Sequence, residues 1–229
     1  MSIIEKKIIA IGGVGVSPES DKELDNFIIN HSKKMKNNIG FLGTASKDDK
    51  EKINKFYKRF NNTSSELSHF NLTSDIDGFH EWLLNKDIVY VGGGNTFYML
   101  EIWKKNNLEQ VFKKAYEKGL ILSGVSAGAV CWFEWILSDS MGRGFEPLKG
   151  INLIEGSCTP HSDNIERINE FEFNIKNNKL PNGVAIDDGV AVVFIDGKPT
   201  EVYSSINNHN AYFLDKNTKI NLKEYIKNI

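Results

Sequence analysis

The stretch Leu120-Ile-Leu-Ser-Gly-Val-Ser-Ala-Gly-Ala129 decides the fold prediction, because a short apolar run leads directly into a serine flanked by glycines. Ser126 stands where a buried strand is expected to turn into a helix. The flanking glycines permit a sharp turn and leave room for a substrate carbonyl, while the first free N–H groups of the helix can bind an oxyanion. The stretch therefore predicts a strand–elbow–helix unit, with Ser126 as nucleophile and the N–H of Ala127 as an oxyanion donor.

Short apolar runs alternate with amphipathic segments along the chain. Strands are predicted at 7–11, 39–42, 66–70, 88–91 and 120–123, and helices at about 21–35, 48–60 and 76–84 and within 96–118. This order predicts an α/β fold in which helices cover both faces of a mostly parallel sheet. The runs 184–186, 190–195 and 201–203, with a turn at Asp196-Gly197, predict an antiparallel β edge near the C-terminus.

The composition argues against several classes of protein. The 229 residues carry a formal net charge of −2 and 40% are apolar, so we expect no nucleic-acid or membrane partner. No run approaches the roughly 20 apolar residues of a membrane span, and no signal peptide is evident. Cys131 and Cys158 lack metal-site spacing and are expected to be reduced. We therefore expect a cytoplasmic enzyme with one domain over 1–229, as a monomer or a homodimer.

A second glycine cluster, Gly92-Gly93-Gly94-Asn95-Thr96, follows the run 88–91. Because ligands of parallel sheets bind at the carboxyl ends of strands, this loop and Ser126 are expected to face one crevice, where the N–H of Gly94 can bind an anion. A nucleotide-phosphate loop and a plain tight turn are alternatives, although the Gly-Lys-Ser/Thr ending of a P-loop is missing. We predict no cofactor and no metal.

The N-terminal Gly12-Gly13-Val14-Gly15 lacks the third spaced glycine of a dinucleotide fingerprint. We expect it to form another loop that borders the same cleft.

A serine nucleophile needs a base that accepts its proton. Among the five histidines, His161 is the best candidate, since Pro160 stiffens the turn that would hold its imidazole at the end of a strand. His209, in an asparagine-rich loop, remains the alternative.

Together these motifs resemble peptidase family S51, which contains dipeptidase E and cyanophycinase. The resemblance depends on Gly92-Gly93-Gly94-Asn95-Thr96, on the elbow around Ser126 and on Pro160-His161, which follows the serine by 35 positions. It implies a flavodoxin-like sheet related to class I glutamine amidotransferases, with serine in place of their cysteine. Further segments, such as Cys131-Trp-Phe-Glu134 and Asp187-Asp-Gly189, resemble the peptidase E-like branch of low-GC Gram-positive bacteria.

The acid that orients the histidine ring is the least constrained member of the site. We choose Asp139, which lies 13 positions after Ser126, close to where the resemblance places the acid once a short gap is allowed. Glu134 is the alternative; it lies on the helix that is expected to leave the elbow and would serve if that helix ends early.

Substrate-binding candidates follow from the same resemblance. Dipeptidase E binds an N-terminal aspartate through basic side chains after its histidine; here that loop is short and offers Arg167, which argues against a strict requirement for aspartate. Arg167 can still bind a carboxylate in a bidentate manner. Asn95 and Thr96 are expected either to position the substrate or to cap the following helix.

These residues predict hydrolysis of a dipeptide or short peptide through an acyl-enzyme, with Ser126 as nucleophile and His161 as general base. Two alternatives stay open. One is a catalytically silent member of the fold that binds a small ligand. The other is an amidase or esterase that acts on a non-peptide acyl substrate.

Overall fold

The computed structural model describes residues 4–61 and 63–228. Its strands are β1 (Lys7–Ile11), β2 (Asn38–Leu42), β3 (Glu66–Phe70), β4 (Ile88–Val91), β5 (Ile121–Val125), β6 (Phe133–Ser138), β7 (Glu146–Lys149), β8 (Ile154–Thr159), β9 (Gly183–Ile186), β10 (Val190–Ile195), β11 (Lys198–Ser204), β12 (Ala211–Leu214) and β13 (Lys219–Asn221). Its α-helices are α1 (Pro18–Asn30), α2 (Lys50–Phe60), α3 (Phe79–Leu84), α4 (Thr96–Lys105), α5 (Leu108–Glu117), α6 (Ala127–Val130), α7 (Ile165–Lys176) and α8 (Leu222–Lys227).

The first sheet has the strand order β11-β10-β1-β5-β4-β2-β3, counted over the described residues. The strands from β1 to β3 in this order pair in parallel, which confirms the prediction of a mostly parallel sheet. The predicted antiparallel edge is confirmed by β10 and β11, which form a hairpin beside β1.

Helices cover both faces of the first sheet, because successive side chains of a strand point to opposite sides. In β1, Ile8 and Ala10 belong to one buried cluster and Ile9 and Ile11 to another. The first cluster is covered by α3, α4 and α5, and the second by α1 and α2. The continuous apolar runs of the sequence therefore arise because both faces of these strands are buried.

A second sheet, with the order β13-β12-β9-β8-β6-β7, is formed by the chain after the elbow. Three of its strands, β6, β8 and β9, pair in parallel, and α7 packs against them through Ile168, Phe171 and Ile175. The sequence prediction of a helix reaching Glu134 is wrong, because α6 ends at Val130 and residue 134 lies in β6. Residues 184–186 are also placed here, in β9, rather than at the edge of the first sheet.

The topology places several loops at one end of the first sheet. β2 and β4 are neighbours in this sheet. The connection after β2 leads away from β4 to β3, whereas the connection after β4 leads away from β2 to β5. Such a switch point opens a crevice between the carboxyl ends of β2 and β4. The glycine cluster after β4 and the elbow after β5 both lie at this end. Within the described residues, no helix combines the length and apolarity needed to cross a membrane.

Candidate active site

Ser126 stands on a strained turn between β5 and α6. Its φ of 54° and ψ of −114° lie outside the regions that most residues prefer, and its N–H donates a hydrogen bond to the carbonyl of Ile11 at 2.9 Å. The flanking glycines are needed for close packing: a Cβ on Gly128 would lie 2.1 Å from the carbonyl oxygen of Val91, and a Cβ on Gly124 would lie 2.4 Å from the carbonyl oxygen of Gly128. The local sequence thus forms the predicted elbow.

The structure brings Ser126 and His161 together. His161 Nε2 lies 2.8 Å from Ser126 Oγ, although 35 positions separate the two residues. The histidine follows β8 of the second sheet and has a φ of 51°, so the site joins one loop from each sheet. This distance is short enough for the imidazole to accept the hydroxyl proton.

The carboxylate that contacts the histidine is Asp188, which lies between β9 and β10. Its Oδ1 lies 2.5 Å from His161 Nδ1, on the side of the ring opposite Ser126. In this arrangement Nδ1–H donates to the carboxylate, and Nε2 is left as the acceptor for the serine proton.

The prediction that Asp139 orients the histidine is therefore wrong, and so is the alternative, Glu134. Asp139 lies at the end of β6 and accepts a hydrogen bond from Arg167 at 3.0 Å. Glu134 accepts one from the indole of Trp135 at 3.2 Å. The physical reason is topological: β9 and β10 deliver Asp188 to the ring, whereas β6 carries Glu134 away from the elbow.

The N-terminal glycine loop makes room for the acid. Gly13 forms a parallel bridge with Asp188, and its carbonyl accepts the N–H of Gly189 at 2.9 Å. A Cβ on Gly13 would lie 1.9 Å from Asp188 Oδ1 and 2.9 Å from His161 Nδ1. The expectation that this loop borders the cleft is confirmed, and glycine is required there because the acid and the ring occupy the space of a side chain.

Two further side chains hold the backbone of Asp188. Asp163 Oδ1 accepts the N–H of Asp188 at 3.1 Å, and His209 Nδ1 donates to the carbonyl of Asp188 at 2.8 Å. His209, the alternative base in the sequence prediction, is thus placed behind the acid and not on the serine. The sequence signal for Asp188 was the segment Asp187-Asp-Gly189, but nothing local indicates which aspartate reaches the ring.

Two clefts meet at Ser126. One, of about 280 Å³, has Phe41, Phe56, Phe60 and Tyr90 among its walls, with Lys52 and Lys55 beside them; we call it the aromatic cleft. The other, of about 350 Å³, includes Thr96, Ser138, Asp139 and Arg167, and we call it the Arg167 cleft. Both also include Gly94, Ser126 and His161. A molecule that extends from one cleft into the other therefore passes the serine.

The predicted oxyanion donors lie at this junction. Ala127 is the first residue of α6, and the first N–H groups of a helix have no partner within the helix. Gly94 borders both clefts and has a φ of 152°. A Cβ on Gly94 would lie 2.3 Å from the carbonyl oxygen of Ala45, so only glycine fits this loop.

The predicted substrate-binding residues differ in position. Thr96 and Arg167 line the Arg167 cleft, where the guanidinium also lies 4.6 Å from the centroid of the Phe145 ring. Asn95 uses both ends of its amide in the protein: Oδ1 accepts the N–H of Tyr98 at 2.7 Å as a helix cap, and Nδ2 donates to the carbonyl of Ser140 at 2.8 Å. Asn95 therefore matches the capping alternative, and it is not among the residues that line the two clefts.

A family model described as peptidase family S51 matches residues 8–202. This span includes the glycine loop, both clefts and the Ser126–His161–Asp188 array. The chain belongs to peptidase family S51. No group of three or more His, Cys, Asp or Glu side chains in the described part of this S51 chain is arranged to hold a metal ion.

Relatives of this S51 chain agree with the assignment. It is 38% identical over 213 residues to a Bacillus subtilis protein named uncharacterized peptidase YgaJ, covering 90% of this chain and 91% of the relative. With the uncharacterized peptidase Lin0382 of Listeria innocua it shares 24% identity over 176 residues, or 70% and 80% of the two chains. A crystal structure of a peptidase from an acI-B1 actinobacterium is similar with a TM-score of 0.70 and 17% identity, covering 95% of this chain and 93% of the other. That likeness concerns the fold, which is flavodoxin-like.

Proposed function

We propose that this S51 member is a serine peptidase that hydrolyses a dipeptide or short peptide through an acyl-enzyme. The observation that carries the proposal is the continuous array in which Ser126 Oγ lies 2.8 Å from His161 Nε2 and Asp188 contacts Nδ1 of the same ring. A hydroxyl, a base and an orienting carboxylate in this order are the elements of a serine hydrolase.

In the proposed acylation step, His161 Nε2 accepts the Ser126 proton as Oγ attacks the scissile carbonyl carbon. The N–H groups of Gly94 and Ala127 bind the oxyanion of the tetrahedral intermediate. When the C–N bond breaks, His161 returns the proton to the leaving amine. Asp188 does not take up the proton; it keeps the ring in the tautomer with a free Nε2 and stabilises the imidazolium.

Deacylation repeats these steps with water. His161 takes a proton from the water molecule, the hydroxyl attacks the acyl carbon, and Ser126 leaves with the proton that His161 then donates. The two clefts that flank Ser126 suit a substrate with one group on each side of the scissile bond. Thr96 and Arg167 would contact the group that occupies the Arg167 cleft.

The proposal includes a reducing location such as the cytoplasm. Cys131 and Cys158 are both free and buried, and burial raises the pKa of each thiol well above its usual value. Such thiols are inert and need no oxidising compartment.

Labelling with a fluorophosphonate, which reacts with activated serines, tests the proposal. We expect wild type to be labelled at Ser126, as located by peptide mass analysis, and Ser126→Ala to remain unlabelled. His161→Ala should be labelled far more slowly, because the hydroxyl loses its base. If folded wild-type protein does not react, the nucleophile proposal fails and a silent ligand-binding role is favoured.

A labelled protein can still act on another acyl compound. Dipeptides, amides and simple esters offered side by side to the wild type separate the peptidase from the amidase or esterase alternative. The peptidase proposal expects dipeptides to give the highest kcat/KM; faster turnover of the non-peptide compounds would contradict it.

A further inference from the structure

The aromatic cleft has a preformed apolar wall beside the nucleophile. Phe41, Phe56 and Phe60 are at most 3% exposed, and the Phe41 and Phe56 rings are stacked with centroids 4.9 Å apart. Tyr90 completes this wall, and burial raises its pKa to about 12, so its hydroxyl stays neutral. A pocket whose walls are packed before binding favours a bulky apolar group.

The positive charge in this cleft is only partly neutralised. Arg59 is paired with the buried Asp25, to which its Nε donates at 2.9 Å. By contrast, Lys52 and Lys55 are exposed, and within residues 4–61 and 63–228 neither has a carboxylate within 4.0 Å. None of the residues that line the cleft in this part of the chain is acidic. The two lysines therefore offer charge to an anion of the substrate.

The Arg167 cleft differs in this respect. Its cation, Arg167, is neutralised by Asp139, which lines the same cleft. An anionic group of the substrate is thus attracted more strongly to the side of Ser126 where the aromatic wall lies.

We propose that the aromatic cleft binds the leaving residue of a dipeptide: a bulky apolar side chain against Phe41, Phe56 and Tyr90, and the C-terminal carboxylate at Lys52 and Lys55. This inference rests on the proposed function. A C-terminal residue carries an apolar side chain and a carboxylate on the same Cα, so one group satisfies both features of the cleft. The other residue of the dipeptide then occupies the Arg167 cleft.

The size of the cleft supports a single residue. Its volume of about 280 Å³ is just below the range of about 300–1,000 Å³ that is typical of whole ligand pockets. Room for one side chain and its carboxylate is available, whereas a longer peptide would have to leave the cleft.

The test uses three compounds on the full chain: Ala-Phe, Ala-Ala and Ala-Phe amide. Each is measured as a substrate and as a protectant that slows fluorophosphonate labelling of Ser126, so binding is read even where turnover is slow. We expect half-protection by Ala-Phe at about one-tenth of the Ala-Ala concentration, because a buried phenyl ring contributes roughly a factor of ten or more. Ala-Phe amide, which lacks the carboxylate, should give half-protection at a concentration about three to ten times higher than Ala-Phe.

A double variant assigns the carboxylate site. K52Q/K55Q should weaken protection by Ala-Phe about three- to tenfold and leave Ala-Phe amide unaffected, because only the former loses an ionic contact. Lys58→Gln is the matched control, since Lys58 lies on the same helix but does not line the cleft. All of these changes are at exposed positions of α2, so folding is not at risk.

The outcomes distinguish the two proposals. Labelled Ser126 with equal protection by Ala-Phe and Ala-Ala overturns the inference and leaves the serine mechanism in place. Protection by Ala-Phe that K52Q/K55Q does not change overturns the assignment of the carboxylate. An unreactive Ser126 overturns the proposed function, and with it the inference.

Discussion

The first and second sheets contribute to the site in different ways. The first sheet supplies Ser126 through a turn that a ten-residue stretch encodes, with the glycines and the apolar strand next to one another in sequence. The second sheet and its connection back to β10 supply His161 and Asp188, which meet only after strands far apart in sequence have paired. The turn that carries the proposed nucleophile is therefore encoded locally, whereas its contact with the histidine and the acid depends on long-range packing.

The strongest test of this comparison removes one side chain from each sheet. Ser126→Ala and His161→Ala should each lower kcat by about 10⁴ to 10⁶, because the two residues act as a unit. The double variant should be little worse than either single variant, and steady-state hydrolysis of the best dipeptide measures all three. Additive losses would show that the two residues act independently, contrary to the 2.8 Å contact.

Substitution of Asp188 tests the residue of the site that the sequence does not predict. Asp188→Asn should lower kcat by about 10² to 10⁴, because an amide cannot hold the ring in the required tautomer or stabilise the imidazolium. The loss of kcat in Asp139→Asn should be at least about thirtyfold smaller than in Asp188→Asn, and the main effect of Asp139→Asn should be on KM, through Arg167. The exposed turn residue Asp196 gives the matched control, Asp196→Asn. A larger kcat loss in Asp139→Asn than in Asp188→Asn would restore the original prediction.

The contact between the sheets can be perturbed without touching the triad. Gly13→Ala should lower kcat about 10- to 100-fold, since the new Cβ would overlap Asp188 Oδ1 and displace the acid from the ring. Gly15→Asn is a useful comparison, because no heavy atom lies within 4 Å of a Cβ there and its strain arises from the φ of 93° rather than from contact with the acid. Thermal unfolding must show that Gly13→Ala is folded. Equal kcat values for the two variants would mean that the glycine does not seat the acid.

The smallest effect is expected at His209, which positions Asp188 through its backbone. His209→Ala removes one hydrogen bond to the carbonyl of Asp188, and such a bond is worth about a two- to tenfold change. Because the proposed base, His161, is unchanged, the pH profile of kcat/KM should keep its shape. A collapse of activity comparable to that of His161→Ala would instead identify His209 as the base.

The sequence predicts features that depend on local interactions better than features that depend on long-range packing. The bounds of β1, β4 and β10 match the predicted runs, because these strands are buried and apolar along most of their length. The bounds of β3 also match, although this edge strand is only partly buried. The sequence predicts too long a helix after Ser126, since the apolar residues 129–133 fit a buried helix as well as a turn into a strand.

The site was harder to predict at its acid. The spacing from Ser126 favours Asp139, but spacing is a one-dimensional criterion. The position of the acid is determined instead by the pairing of β9 with β8 in the second sheet and of β10 with β1 in the first, which places Asp188 between the two sheets. The pair Ser126 and His161 was recognisable because each stands in its own local motif. No local motif singles out Asp188.

The pairing of Asp188 with Gly13 has a consequence for the order in which the site forms during synthesis of the protein. A growing polypeptide contains Ser126 before residue 188 is synthesised, and Asp188 then pairs with Gly13 in the loop that follows β1. Until Gly13 and Asp188 have met, no carboxylate orients the His161 ring beside Ser126. We therefore expect the hydrolysis proposed above to begin only after the loop after β1 and the segment that carries Asp188 have come together.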